Sequence, residues 1–381
     1  MERLDHLQCE NGMIYVTRPL LPKLEDYVKQ LEDIWQSQWL TNMGTKHNEL
    51  EESLRLLLKA RNLCLFNNGT IALMCAIKAL DLPLGSEVIT TPFTFAATPH
   101  SLVWNGLTPV FCDIRKDDMT IDPDCIEKLI TDKTSAILGV HVYGFPCDVE
   151  RIGKIARKHN LKVIYDAAHA FTTEINGKGI CEYGDITMYS FHATKLFNTI
   201  EGGALAFSDD SLLQKVKDLR NFGIRNEEEV ESIGLNGKMN EFQAAMGLLN
   251  LRILDEEKRK KEEIKKIYQS AISKIAGISI PVLKRNVTDS YQYFPLIIED
   301  DYPLSRDELY DYFKAHGVHA RKYFYPACSD YSCYRDNKLV KIPLDLKIVN
   351  DIKNRVICLP YYGALSLTET EKIIDLLKSA S

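Results

Sequence analysis

The sequence predicts an α/β fold, with one large, mostly parallel seven-stranded sheet followed by a smaller C-terminal α/β unit. Three observations predict it. Short apolar runs alternate with helical patterns, the mark of a parallel sheet covered on both faces. Seven such runs fall between Leu63 and Phe207, and the pattern changes character past Ser208. The chain has 381 residues, too many for one small core.

Residues 1–20 read as an extended entry segment with a short strand, MIYVT. Leu24, Val28, Leu31 and Trp35 fall at helical spacing over residues 23–38. The turn-rich stretch WLTNMGTKHNEL leads to a helix over 48–59. LCLF (63–66), the loop NNGT (67–70) and the helical IALMCAIKAL then begin the alternation. It continues through EVITT, a helical HSLVWNG, PVFCDI, the acidic link KDDMTIDPD, AILGVHV, a helix in GFPCDVERIGKIARKHN, and KVIYD. ITMYS and ALAF close it. A helix over 211–223, a polar loop NEEEVES and a helix from MNEFQAAMGLLNLRIL into a charged segment follow. Ile264, Ile267, Tyr268, Ala271, Ile272 and Ile275 form its apolar stripe. YQYFPLII, VHARKYF and VICLP read as strands, with helices over 305–316 and 368–379. The domain boundary is expected near residue 250, giving a large unit over 1–250 and a small one over 251–381.

Composition excludes several classes. The chain is 45% hydrophobic and 26% charged, with a net charge of −6, which speaks against a partner held by a basic surface such as nucleic acid. No apolar run of about 18 residues suggests a membrane span. The charged MERLDHLQCENG does not read as a secretory signal. Ten cysteines are scattered without a CxxC pair, which suits reduced thiols in a cytoplasmic protein better than a disulfide framework or a metal site.

The chemistry centres on GDITMYSFHATKLFNTIEGG, residues 184–203. Lys195 stands in a loop between two apolar strands, where desolvation lowers an amine's pKa and frees it to form a Schiff base with a carbonyl. Asp166 ends the apolar run KVIYD, at the carboxyl end of a strand where ligands gather in open sheets. His169 lies three residues on, one helical turn away. NNGT sits at a strand-to-helix turn, where small residues let backbone N–H groups approach an anion. Phe95, in PFTFAAT, is a further strand-end residue. Each feature alone has an ordinary structural explanation: a surface lysine, a helix cap, a turn, a core aromatic. Their order, anion cradle, aromatic, aspartate, lysine, fits a ring cofactor with a phosphate, an aldehyde and a protonated pyridine nitrogen. Pyridoxal phosphate is such a cofactor.

With these residues in view, NNGTIAL, TPFTFAAT, YDAAHAF, SFHATKLFNTIEGGA and GLNGKMNEFQAAMGL resemble the DegT/DnrJ/EryC1/StrS sugar-nucleotide aminotransferases. The resemblance runs from about Ile14 to the LPYY segment. It implies the aspartate-aminotransferase-like fold (fold type I), pyridoxal phosphate, and a homodimer with active sites at the subunit boundary. It makes Lys195 the Schiff-base lysine and proton shuttle, and Asp166 the partner of the pyridinium nitrogen. Gly69, Thr70 and Ser190 would hold the phosphate, Phe95 would stack on the ring, and His169 would lie near the phenolic oxygen. GLNGKMN would reach across from the neighbouring subunit through Asn236, with Lys238 the other candidate. His192 belongs to an SFHxxK loop, the form common among members that aminate sugar carbon 4, and counts with the catalytic residues. Arg321, Tyr323 and Asn42 are the expected sugar contacts. Within the family the likeness is to enzymes that aminate dTDP-4-keto-6-deoxy-D-glucose, with L-glutamate as donor and 2-oxoglutarate as by-product. Other readings are amination at carbon 3 of a 3-keto sugar, a non-catalytic regulator using the same pocket, and a nucleotide-binding oxidoreductase. The last lacks a GxGxxG after the first strand.

Overall fold

Seven strands build the large sheet of the computed structural model, which describes residues 12–335, 339–343 and 345–380. They are β1 (Asn62–Phe66), β2 (Glu87–Thr90), β3 (Thr108–Phe111), β4 (Thr134–Val140), β5 (Lys162–Asp166), β6 (Ile186–Ser190) and β7 (Gly203–Phe207). Their spatial order is β1-β7-β6-β5-β4-β2-β3. β7 is antiparallel to both its neighbours, and the other adjacent pairs are parallel.

The strands read as unbroken apolar runs because both faces are covered. Side chains alternate across the pleat, so on β1 Cys64 and Phe66 enter one core while Leu63 and Leu65 enter the other. The first core packs under the helix Gly69–Ala79, through Ala72, Leu73 and Ala76. The second takes Leu50 and Leu54 from the helix Thr45–Leu57, and Ile152 and Ile155 from Val149–His159. The helix expected at HSLVWNG begins earlier, at Ala97–Trp104, and so carries Thr98 in its first turn. The acidic link holds a short helix, Pro123–Leu129, that no periodicity announces; its signal is the Asp122 cap followed by proline at the first position.

Helix Glu241–Ile272 runs unbroken through residue 250. Ala244, Leu248 and Leu254 pack into a core of the large sheet. Ile264, Tyr268 and Ile272 pack into a third core with β8 (Phe294–Ile298) and β9 (Val356–Leu359). The change from one core to the other thus occurs along a single helix. The entry segment also departs from expectation. Its strand is only Ile14–Tyr15, and it pairs in parallel with Val318–His319, which places Ile14 in the C-terminal core. VHARKYF is strand only at Val318–His319; beyond it Arg321 meets Cys358 through an isolated bridge. Among the described residues no helix is long and apolar enough to cross a membrane, and the cysteines form no disulfide.

Candidate active site

A cavity of about 1130 Å³ opens where β1, β5 and β6 end. This is the carboxyl edge of the parallel strands, where loops free of pairing converge on a ligand. Lys195, Asp166, His169, His192 and Ser190 all line it. So do Gly69, Thr70, Phe95, Asn236, Lys238, Arg321 and Tyr323. Asn42 does not. It stands on an exposed turn with φ 63°, while its neighbours Leu40 and Thr41 form the wall.

NNGT leaves β1 and starts a helix. The Asn68 side chain caps it by accepting from Ile71 N–H at 2.8 Å. Gly69 and Thr70 are the first two helical residues, whose amides have no partner within a helix and sit at its positive end. Space here is tight. A Cβ on Gly69 would lie 3.0 Å from Ser190 Cβ, and one on Gly203 would lie 2.9 Å from Gly69 N and Cα. The loop is tied to the GLNGKMN segment by Asn67 N–H donating to the Gly237 carbonyl at 2.8 Å. Gln243 Nε2 donates to the carbonyls of Asn67 (3.2 Å) and Glu201 (2.6 Å), joining the cradle to the end of the lysine loop. Asn236 and Lys238 therefore border the cavity of their own chain; Lys238 Nζ donates to Asn221 Oδ1 at 2.7 Å. Burial, then the neighbouring Arg220, lowers the Lys238 pKa.

Asp166 is buried, with Oδ2 accepting from Thr98 Oγ1 at 2.9 Å and Oδ1 from Ala168 N–H at 3.0 Å. Burial raises its pKa, and these two donors and the Lys195 charge pull it back. His169 is buried and accepts a hydrogen bond from Tyr143 N–H at Nδ1, 3.1 Å away. An amide N–H can only donate, so the neutral ring carries its proton on Nε2. Burial, then the nearby Lys195 ammonium, pushes its pKa well down, which keeps it neutral. Phe324 and Tyr143 lie parallel to the ring, and Tyr293 meets it edge-on at 5.0 Å.

Lys195 follows β6 in a loop that β7 closes. Its N–H donates to the His192 carbonyl at 2.8 Å, and its Nζ lies 5.8 Å from the centre of the Tyr293 ring. Burial lowers its pKa from 10.5 to about 8, against the opposing pull of Asp166. The amine and the carboxylate thus face one cavity and feel each other's charge. His192 is exposed at the mouth; Nδ1 accepts from Thr194 N–H at 3.2 Å, and Nε2 lies 3.6 Å from Glu201 Oε1. Phe95 is exposed and projects at the cavity edge. Arg321 sits 4.9 Å over the Tyr323 ring.

Several residues at the site escaped the sequence. Thr98 and Gln292 act one layer out, through hydrogen bonds that no motif encodes. Gln243 sits in the capping box of Glu241–Ile272 and reads as an ordinary helix start. Tyr293 looks like a core aromatic in YQYFPLII, and Glu201 like part of a turn. The one available signal was Gln292 itself, a polar residue inside an otherwise apolar run.

The chain is similar to known proteins along nearly its whole length. The dTDP-4-amino-4,6-dideoxy-D-glucose transaminase of Shigella dysenteriae is 45% identical over 365 residues, covering 96% of this chain and 98% of that protein. The transaminase of the same name from Escherichia coli is 44% identical over 368 residues, with 96% and 98% covered. A crystal structure of DesI in the presence of its TDP-sugar product has a TM-score of 0.90 at 34% identity, covering 97% of this chain and 93% of that one. The profile of one family matches residues 23–378, and with a lysine, a carboxylate and a helix-end cradle meeting in one cavity, the chain belongs to the DegT/DnrJ/EryC1/StrS aminotransferase family.

Proposed function

We propose that this enzyme moves an amino group from L-glutamate to carbon 4 of dTDP-4-keto-6-deoxy-D-glucose, giving dTDP-4-amino-4,6-dideoxy-D-glucose and 2-oxoglutarate. The observation that carries the chemistry is the shared cavity of Lys195 and Asp166 beside the helix-end cradle. The names of the two transaminases more than two-fifths identical to it support the sugar and the nucleotide. The SFHATK form of the lysine loop supports carbon 4 over carbon 3.

The cavity suits pyridoxal phosphate. A buried carboxylate met only by two neutral donors calls for a cation, and a protonated ring nitrogen is one. When bound, the cofactor supplies an electron sink that carries the amino group between the two half-reactions. Gly69, Thr70 and Ser190 would hold its phosphate, with Asn236 or Lys238 closing the cradle. Phe95 would cover one face of the ring, and the Nε2 proton of His169 would meet its phenolic oxygen. Lys195, with a pKa of about 8, keeps a free-base fraction at neutral pH and serves as nucleophile and base. It takes the proton from the donor's α-carbon and returns one to carbon 4 of the sugar. His192, Arg321 and Tyr323 belong to the substrate end. Donor and acceptor use the site in turn, which gives ping-pong kinetics.

A second copy of the chain completes the site in this reading. Leu40, Phe95, Ile200, Phe222 and Ile233 are exposed, with Ile233 at 90%, and the first two border the cavity. Exposed apolar side chains of this kind stay in water only at a cost, and a homodimer would cover those at the cavity edge. The same reading places the enzyme in the cytoplasm, where nucleotide sugars are made.

Lys195→Arg tests the assignment. The variant keeps the charge but has no amine that can bond the cofactor. Expected are none of the absorbance of lysine-bound pyridoxal phosphate and no amino sugar, while the wild-type band shifts on adding glutamate. Wild-type turnover in the variant would refute the role, and nuclear magnetic resonance of the product separates carbon 4 from carbon 3.

A further inference from the structure

We propose that Gln292 is the positioning residue that sets the backbone of Lys195. The inference rests on the reading of Lys195 as the lysine that bonds the cofactor. Gln292 is buried, and both ends of its carboxamide are spent on the lysine loop. Oε1 accepts from Leu196 N–H at 2.8 Å, and Nε2 donates to the Thr194 carbonyl at 3.1 Å. The orientation of the amide follows from its partners, since an N–H only donates and a carbonyl only accepts.

The two groups held are not arbitrary. The Thr194 carbonyl belongs to the peptide unit before the Lys195 α-carbon, and Leu196 N–H to the unit after it. One side chain therefore pins both peptide planes that fix φ and ψ of Lys195, much as a paired strand would. Lys195 N–H is itself bound to the His192 carbonyl at 2.8 Å. The next residue, Tyr293, sets its ring 5.8 Å from Lys195 Nζ and meets His169 edge-on. A single dipeptide thus touches both the backbone and the head of the lysine. It leads directly into β8, in the sheet whose strand β9 bridges to Arg321 through Cys358. The lysine is in this way tied to the C-terminal unit that carries the substrate end of the cavity.

Positioning has a kinetic signature. A misaimed amine slows bond formation and proton transfer without changing the walls that bind the sugar. Gln292→Leu removes both hydrogen bonds at similar volume; Gln292→Glu keeps the acceptor for Leu196 and loses the donor to Thr194.

Hydrogen exchange on cofactor-free protein reads the contact itself. In Gln292→Leu the Leu196 amide should exchange about tenfold faster, the effect of losing one hydrogen bond, and in Gln292→Glu it should stay protected. In the loaded enzyme, capture of pyridoxal phosphate and kcat should each fall about tenfold in Gln292→Leu, with KM for the sugar nucleotide changed less than about twofold. Unchanged exchange at Leu196, or unchanged kcat, in a folded Gln292→Leu protein overturns the proposal. If that variant does not fold, Gln292→Glu decides it: kcat equal to wild type overturns the proposal, and a lower kcat at constant KM supports it. A wild-type protein that never bonds pyridoxal phosphate would sink the functional reading instead, and the exchange result would still report on the contact.

Discussion

Thr98 Oγ1 donates its single proton to Asp166 Oδ2 at 2.9 Å, and Thr94 Oγ1 stands 2.9 Å behind it. Because the Thr98 proton is committed, the contact between the two threonines has Thr94 as donor. A two-hydroxyl relay therefore supports a buried carboxylate that feels the charge of Lys195 across the cavity. Burial acts to protonate Asp166, and the relay opposes it.

Thr98→Val keeps the shape and removes the donor. Hydrogen bonds to charged groups are worth about 1.5–3 kcal/mol, so pyridoxal phosphate should bind roughly 10–100-fold more weakly. Fluorescence titration of cofactor-free protein measures this. Thr98→Ser, which restores the hydroxyl, should recover most of the affinity. Equal affinity for the valine and serine variants would remove the relay from the account.

Gly203 stands where β7 passes the anion cradle. The atoms an added Cβ would meet are backbone, the Asn68 carbonyl carbon and Gly69 N and Cα, each 2.9 Å away. Backbone cannot swing aside as a side chain can, so Gly203→Ala must push the cradle from the sheet. Overpacking of this kind costs about 1–3 kcal/mol. A lower melting temperature together with weaker binding of pyridoxal phosphate is expected. An alanine variant that melts and binds like wild type would mean that the cradle has slack.

The large sheet was legible because its strands are buried on both faces, and a doubly buried strand writes itself as a continuous apolar run. Lys195, Asp166 and the NNGT turn were legible because chemistry restricts which residues can stand at strand ends. The C-terminal unit was less so. VHARKYF has a strand composition, but after His319 the chain turns to serve the cavity wall with Arg321 and Tyr323. The first residues of YQYFPLII likewise leave the sheet register to hold the lysine loop. Asn42 is a turn residue chosen by its neighbourhood; it is exposed and stands outside the cavity wall that Leu40 and Thr41 form. Contacts between distant segments, such as Thr98 with Asp166 or Gln292 with Thr194, carry no local pattern at all.

Lys261 offers a test of burial that is separate from catalysis. It is only 4% exposed on helix Glu241–Ile272, with its ammonium 4.6 Å above the Tyr361 ring. Burial lowers its pKa from 10.5 to about 8, more than Glu257 and Asp289 can offset. Both carboxylates have other partners: Glu257 accepts from Gly363 N–H at 2.7 Å, and Asp289 pairs with Lys265. Lys261→Met would therefore strand neither of them. The sign of the pH effect follows from the depressed pKa. Above 10.5 the amine is neutral whether folded or unfolded, so burial carries no charge penalty. As pH falls toward 8 the unfolded chain takes up a proton that the folded one refuses, and wild-type stability drops. Below 8 the penalty is complete, about 3 kcal/mol at 1.36 kcal/mol per unit. Lys261→Met should accordingly be more stable than wild type at pH 7, with the gap closing between pH 8 and 10.5. Denaturant melts of the two proteins across that range measure it, and a methionine variant less stable at pH 7 would show that the cation–π contact with Tyr361 outweighs the desolvation.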